Sequence, residues 1–275
     1  MTAVLLAVAS AALFGAMTVA IRIGLRAGDS RAAAQATILS ALAVALVAAA
    51  LRPAFHGVWP FLLAGLIAPG ASQILFTRAV QEVGASRTSV IAGAAPLVAV
   101  AIALVFLGEP VRGPLLLGAL AIVGGGALLA FERDRPDHFR RIGLAYAAVA
   151  AVMFATRDNL VRALHGHATP EAAAAATLLA GALVAAVWTR RAPTATELRR
   201  FAPSGVFFGL SYLCLFAAYY HGRVTVVSPL VATESLWGVF FSALLIGRSE
   251  QVGRRIVAGA LLIVAGGVLI GLTAS

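Results

Sequence analysis

Long apolar stretches alternate with short polar breaks from one end of the chain to the other. A helix needs about 20 largely apolar residues to cross the hydrocarbon core of a bilayer. Ten windows are close to that length: residues 2–24, 32–51, 59–80, 86–107, 113–131, 142–164, 171–189, 203–221, 224–246 and 255–273. Helical periodicity does not sharpen their ends, because a segment apolar nearly all round carries no single hydrophobic stripe. The breaks do so instead. Gly28-Asp29-Ser30, Arg52-Pro53, Gly108-Glu109-Pro110, Asp134-Arg135-Pro136-Asp137, Thr169-Pro170 and Ala192-Pro193 hold residues that end helices.

The pattern is written twice. Residues 32–39 read AAAQATIL and residues 172–179 read AAAAATLL; residues 116–128 read LLGALAIVGGGAL and residues 257–269 read VAGALLIVAGGVL. Phe14 and Arg22 have counterparts in Phe154 and Arg162, and Leu75-Phe76 in Leu215-Phe216. The matches keep their order, so segments one to five correspond to segments six to ten. Five crossings is an odd number, so the second copy enters the membrane with the opposite polarity. The expected fold is an all-α polytopic membrane protein of ten transmembrane helices, built as a 5+5 inverted-topology repeat. Its units are residues 1–131 and 142–275, joined by a linker at 132–141.

Composition agrees with a membrane protein. The chain is 61% hydrophobic and 12% charged, where soluble domains carry about 25% charged residues. A net charge of +10 would suggest nucleic acid in a soluble protein. Here no nucleic-acid partner is expected, because the arginines stand at segment ends, where they set topology and meet anionic headgroups. Sixteen arginines fall in the loops after segments one, three, five, seven and nine, and four in the loops after segments two, four, six and eight. By the positive-inside rule, the first set of loops is cytoplasmic and both termini face outward. The single cysteine, Cys214, excludes an intrachain disulfide and a CxxC metal site. His165 and His167 are a loop pair without further close ligands, and no metal or cofactor is expected.

Three motifs carry a resemblance. Phe14-Gly15 and Phe154-Ala155 stand in the first and sixth segments. Ala95-Pro96 leads an apolar run into Leu107-Gly108-Glu109. Glycine-rich segments follow Glu109 and Glu250, with Gly118, Gly124, Gly125 and Gly126 in one and Gly259, Gly266 and Gly267 in the other. On these the whole chain resembles the drug/metabolite transporter superfamily, specifically the bacterial proteins with two tandem EamA domains. The resemblance implies a secondary transporter in the bacterial cytoplasmic membrane, with a cavity lined by helices 1, 3, 4, 6, 8 and 9. It also implies cytoplasmic termini, opposite to the arginine count. The second half departs from the family's Leu-Glu-Pro: it reads Thr233-Glu234-Ser235, keeping the carboxylate and losing the proline.

Ionisable residues inside apolar segments are expensive and mark function or pairing. Arg157, Asp158 and Glu234 are the three that qualify. As a substrate site, Arg157 would clamp a carboxylate, while Glu234 would meet an amine or carry a proton. As a structural pair, Arg157 would tie the sixth segment to the ninth through Glu234. That residue is the better cross-helix partner, because Asp158 points about 100° away around a helix. Snorkelling of Arg157 to the interface is a third reading. Pro96 and Pro229 are the expected hinges, since a mid-helix proline frees a carbonyl. Thr18, Gln73, Tyr212 and Trp237 complete the candidate substrate-binding set, with Pro96 beside them.

The function this supports is export of a small metabolite, most plausibly an amino acid, by alternating access. Protons are a candidate co-substrate, membrane lipid the surrounding partner, and a monomer the expected state. Proton-coupled efflux of lipophilic cations is the alternative, and a non-transporting receptor or scaffold the distant one. No Walker motif, HExxH or buried Ser/His arrangement points to ATP hydrolysis or proteolysis.

Overall fold

A computed structural model describes residues 2–52, 55–106, 139–166, 168–247 and 253–274, with 117–118, 120–122, 124–125 and 128 between them. Glu109, Glu250, His167, the linker as far as residue 138 and most of the fifth predicted segment lie outside the described residues. The elements are α1 (Thr2–Gly24), α2 (Ser30–Leu51), α3 (Trp59–Gly65), α4 (Ser72–Val83), α5 (Ala85–Ala92), α6 (Ala95–Phe106), α7 (Ile142–Ala163), α8 (Pro170–Thr189), α9 (Ala195–His221), α10 (Val224–Val231), α11 (Glu234–Leu245) and α12 (Arg254–Ala274). A π-helical stretch, Leu66–Ala71, joins α3 to α4. Among the described residues, seven helical stretches are long and apolar enough to cross a membrane. Large apolar side chains such as Leu5, Val47, Leu63, Val187 and Leu244 face outward, as a lipid-facing exterior requires.

Caps explain where the helices begin. The Asp29 carboxylate accepts from the amides of Arg31 and Ala32 and starts α2. Thr169 caps α8, with Pro170 at its first position. At α9 the expected window, 203–221, is too short. The helix begins at Ala195, behind a capping box in which Thr194 and Glu197 satisfy each other's backbone amides. Its first two turns are polar, so a search for apolar length passes over them. The Thr194-x-x-Glu197 spacing was the signal for them.

The fourth and ninth segments, each read from sequence as one window with a proline hinge, are each broken in two. An eight-residue piece meets a twelve-residue piece in both cases, α5 with α6 and α10 with α11. At the first break, the amides of Ala94 and Leu97 bond three residues back, to Ile91 and Ala94. At the second, those of Thr233 and Ser235 do the same, to Leu230 and Ala232. Pro96 lies just past the first break, as the second residue of α6. No proline stands at the matching place in the second half. There the Thr233 and Ser235 hydroxyls donate to the carbonyls of Leu230 and Ala232, at 2.7 and 2.9 Å, beside the backbone amides those carbonyls already accept. Pro229 is buried within α10, three residues before the break. The two breaks touch: a Cβ on Gly93 would stand 2.7 Å from Cβ of Ser235.

Close helix contacts recur with their partners exchanged. A side chain on Gly65 would overlap the Thr177 backbone, and one on Gly205 the carbonyl of Thr37. Gly209 lies against the Ala41 carbonyl, and Gly181 against Pro69. Gly125 packs on Gly259 and Gly266 on Gly118, so the fifth segment lies against α12 through small residues. In each case, adding about 140 to one residue and subtracting it from the other converts one contact into its counterpart.

Candidate functional site

Phe14 of α1 and Phe154 of α7 occupy matching places in the two halves, and they meet edge to face at 5.7 Å. Phe76 of α4 packs against both, at 5.2 and 5.8 Å. Phe208, Tyr212 and Phe216 continue the wall along α9, with Phe208 at 6.2 Å from Phe14. These aromatic positions follow from helical spacing: 208, 212 and 216 stack on one face at i, i+4, i+8.

Arg157 lies one turn beyond Phe154 on α7, and the wall receives it. Its guanidinium sits over the Tyr212 ring at 4.7 Å and the Phe154 ring at 5.6 Å. Nε donates to Oδ1 of Asp158 at 2.7 Å. The other Asp158 oxygen accepts from the Tyr219 hydroxyl at 2.8 Å, so one carboxylate ties α7 to α9. The Arg157 side chain is only 4% exposed, which excludes the snorkelling reading. The expected cross-helix ion pair is also corrected: Asp158 is the partner, because the arginine curls back along its own helix. Glu234 lies within electrostatic range of both Arg157 and Asp158. Among the described residues it forms no hydrogen bond or ion pair with either. It is buried at the first position of α11, where the helix N-terminus favours a carboxylate.

The group is incompletely satisfied. Nη1 of Arg157 and the Tyr212 hydroxyl are buried and have no hydrogen-bond partner among the described residues. A buried donor left unpaired costs about 1–3 kcal/mol, more when charged. Each such group calls for an explanation, of which a functional role is one. Asn159, two residues on, was not anticipated. Its Nδ2 donates to the carbonyls of Ala155 and Ala99, linking α7 to α6, while Oδ1 has no partner among the described residues. An uncharged amide in an apolar window gives only a weak signal.

The remaining candidates divide. Gln73 is fully buried on α4; among the described residues Nε2 reaches only Sδ of Met17, at 3.7 Å, and Oε1 has no partner. The Thr18 hydroxyl is consumed by the Phe14 carbonyl of its own helix, at 2.9 Å. Trp237 stacks on Phe241 at 5.8 Å, and its Cβ abuts Gly15, so it joins α11 to α1. Arg87, counted as a loop arginine from sequence, is fully buried inside α5 with its guanidinium over Phe139. Replacing Tyr219 by Phe removes one of the two groups holding Asp158. The expected loss is about 1.5–3 kcal/mol, the range for a charge-assisted hydrogen bond, read as a lowered melting midpoint in detergent.

A model of the EamA-like transporter family matches the chain twice, over residues 1–131 and 141–272. The chain belongs to the EamA-like transporter family. It is therefore a multi-pass membrane protein of a transporter family. A search of curated proteins found no match. One solved structure, described only as "Crystal structure of protein", is 18% identical, with a TM-score of 0.74 over 99% of this chain and 97% of that one. At that identity the likeness speaks for the fold alone.

Proposed function

We propose that this EamA-family chain is a secondary transporter that exports a small zwitterionic metabolite, an amino acid, across the bacterial inner membrane. One observation carries the reading: Arg157 is held between Asp158, Phe154 and Tyr212, yet its buried Nη1 donor has no hydrogen-bond partner among the described residues. A substrate carboxylate would complete it with a charge-assisted bond. Glu234 would receive the amine, or a proton in its place. The apposed breaks of the fourth and ninth segments support this location, since broken helices flank midplane sites in transporters.

Ten helices in a 5+5 inverted repeat are the architecture proposed, with units 1–131 and 142–275 about the linker 132–141. The exchanged glycine contacts support it, because a pseudo-twofold axis turns each contact into its counterpart. Alternating access would rock one unit against the other about that axis, with the breaks beside Pro96 and beyond Pro229 as hinges. The arginine distribution favours outward termini, and a monomer contains the whole site. The alternative, proton-coupled efflux of lipophilic cations, is disfavoured by the buried guanidinium at the centre of the group.

Coupling is tested at Glu234. Glu234→Gln in proteoliposomes should abolish transport driven by a pH gradient and leave substrate counterflow intact. An unchanged response to the gradient rejects a proton-carrying role.

A further inference from the structure

The third segment does not run straight. Its first half, α3 with the π-helical stretch, packs along α8. There Gly65 lies against Thr177, and Gly70 against Val184. Pro69 and the extended backbone at Ala68 (φ −140°, ψ 119°) redirect the chain. π-bulges and prolines are the usual sources of such bends. Beyond it, α4 packs on α7 and α2 and leaves α8. A wedge of about 870 Å³ opens between α4 and the last two turns of α8.

The wall of the wedge is apolar, with Leu66, Ile74 and Leu75 on one side and Leu183 and Val187 on the other. Val187 is 76% and Leu183 59% exposed, so the wedge opens sideways, where lipid would lie. Its rim is cationic. Arg31, Arg78 and Arg190 line it, and no acidic residue does. Arg31 and Arg78 flank the Trp188 ring at 5.9 and 5.5 Å, which holds both guanidinium groups at the mouth. Among the described residues, none of the three arginines has a carboxylate partner. Arg31 stands in the first turn of α2, Arg78 in α4 and Arg190 at the end of α8, all from the set that the sequence assigns to the arginine-rich face. From Arg78 the α4 side of the groove runs inward past Leu75 and Ile74 to Leu66.

We infer that this wedge binds an anionic phospholipid of the arginine-rich leaflet. Its phosphate would lie among Arg31, Arg78 and Arg190, and one acyl chain would fill the groove between α4 and α8. Charge and shape together select the occupant. A zwitterionic lipid brings its own cation to a rim that already holds three arginines and no carboxylate, and a free anion leaves the apolar wall exposed. A second lateral groove, about 620 Å³ between α1, α9 and α11, makes the contrast. Its one arginine, Arg200, is already bonded to the Ala27 carbonyl. The inference is independent of what the protein transports.

The test is native mass spectrometry of the purified full chain, offered equal amounts of phosphatidylglycerol and phosphatidylcholine of the same acyl length. One retained phosphatidylglycerol, preferred at least about tenfold, is expected from three arginines near a headgroup. Arg78→Gln and Arg190→Gln should each weaken the preference, and together abolish it, with an unchanged melting profile showing that the variants fold. Equal retention of the two lipids by the unmodified protein overturns the proposal without reliance on any variant. Inorganic phosphate displacing the lipid at equal concentration would also overturn it, as would a dimer whose formation excludes the lipid.

Discussion

Replacing Arg157 by Met should cut transport of carboxylate-bearing substrates about 10–100-fold, the worth of a hydrogen bond to a charged group, and should also destabilise the protein. The two effects have different origins. Transport falls because the unpaired Nη1 donor is gone. Stability falls because Asp158, buried and left with the Tyr219 hydroxyl, loses its cation. Breaking a buried pair from one side costs about 3–5 kcal/mol, whereas removing both charges together is often close to neutral. The double variant Arg157→Met/Asp158→Asn should therefore recover most of the melting temperature and none of the transport. If Arg157 served only to hold α7 in place, the double variant would recover both.

Gly205→Val should abolish accumulation of folded protein. A Cβ there would stand 2.8 Å from the Thr37 carbonyl oxygen and closer still to the Ser40 side chain. Backbone cannot move aside as a flexible side chain can, so α9 would be driven off α2. Overpacking of a core costs about 1–3 kcal/mol and more when backbone must shift. The counterpart Gly65→Val should fail alike, since it meets the Thr177 backbone across α8. The nearby Gly166→Val meets nothing within 4 Å and serves as the control. Retention time on size exclusion after detergent extraction separates these outcomes; a normal profile for Gly205→Val would contradict the packing described.

Apolar length located most of the helices, because a bilayer demands it of every crossing. The first window, 2–24, coincides with α1. Length alone could not find the breaks. Ala232-Thr233 carries no proline after it, and its geometry is accompanied by hydroxyl bonds to the Leu230 and Ala232 carbonyls and by Gly93 packing against it. The Gly93 contact is tertiary, and hydroxyl bonds three residues back do not by themselves announce a break. The π-helical turn around Pro69 escaped for a similar reason: the window 59–80 is apolar on both sides of it. The charged group was visible in composition, since Arg157, Asp158 and Glu234 are rare types in such segments. Which pair forms was not visible. Ideal helical geometry separates residues 157 and 158 by about 100°, and only the length and flexibility of arginine lets its Nε return to its neighbour. Arg87 was misplaced because an arginine beside a glycine break reads as a loop residue, whereas Gly84, with φ 89°, ends one helix and starts the next without a loop.

Counterflow in proteoliposomes tests the central claim most directly. Vesicles loaded with an unlabelled neutral amino acid and diluted into its radiolabelled form need no coupling ion, so the assay reads the substrate site alone. The purified protein should accumulate label saturably across at least one member of a panel of the twenty amino acids. The folded Arg157→Met/Asp158→Asn variant should not. Absence of counterflow for every member of the panel, or equal counterflow by the double variant, would contradict a carboxylate site at Arg157.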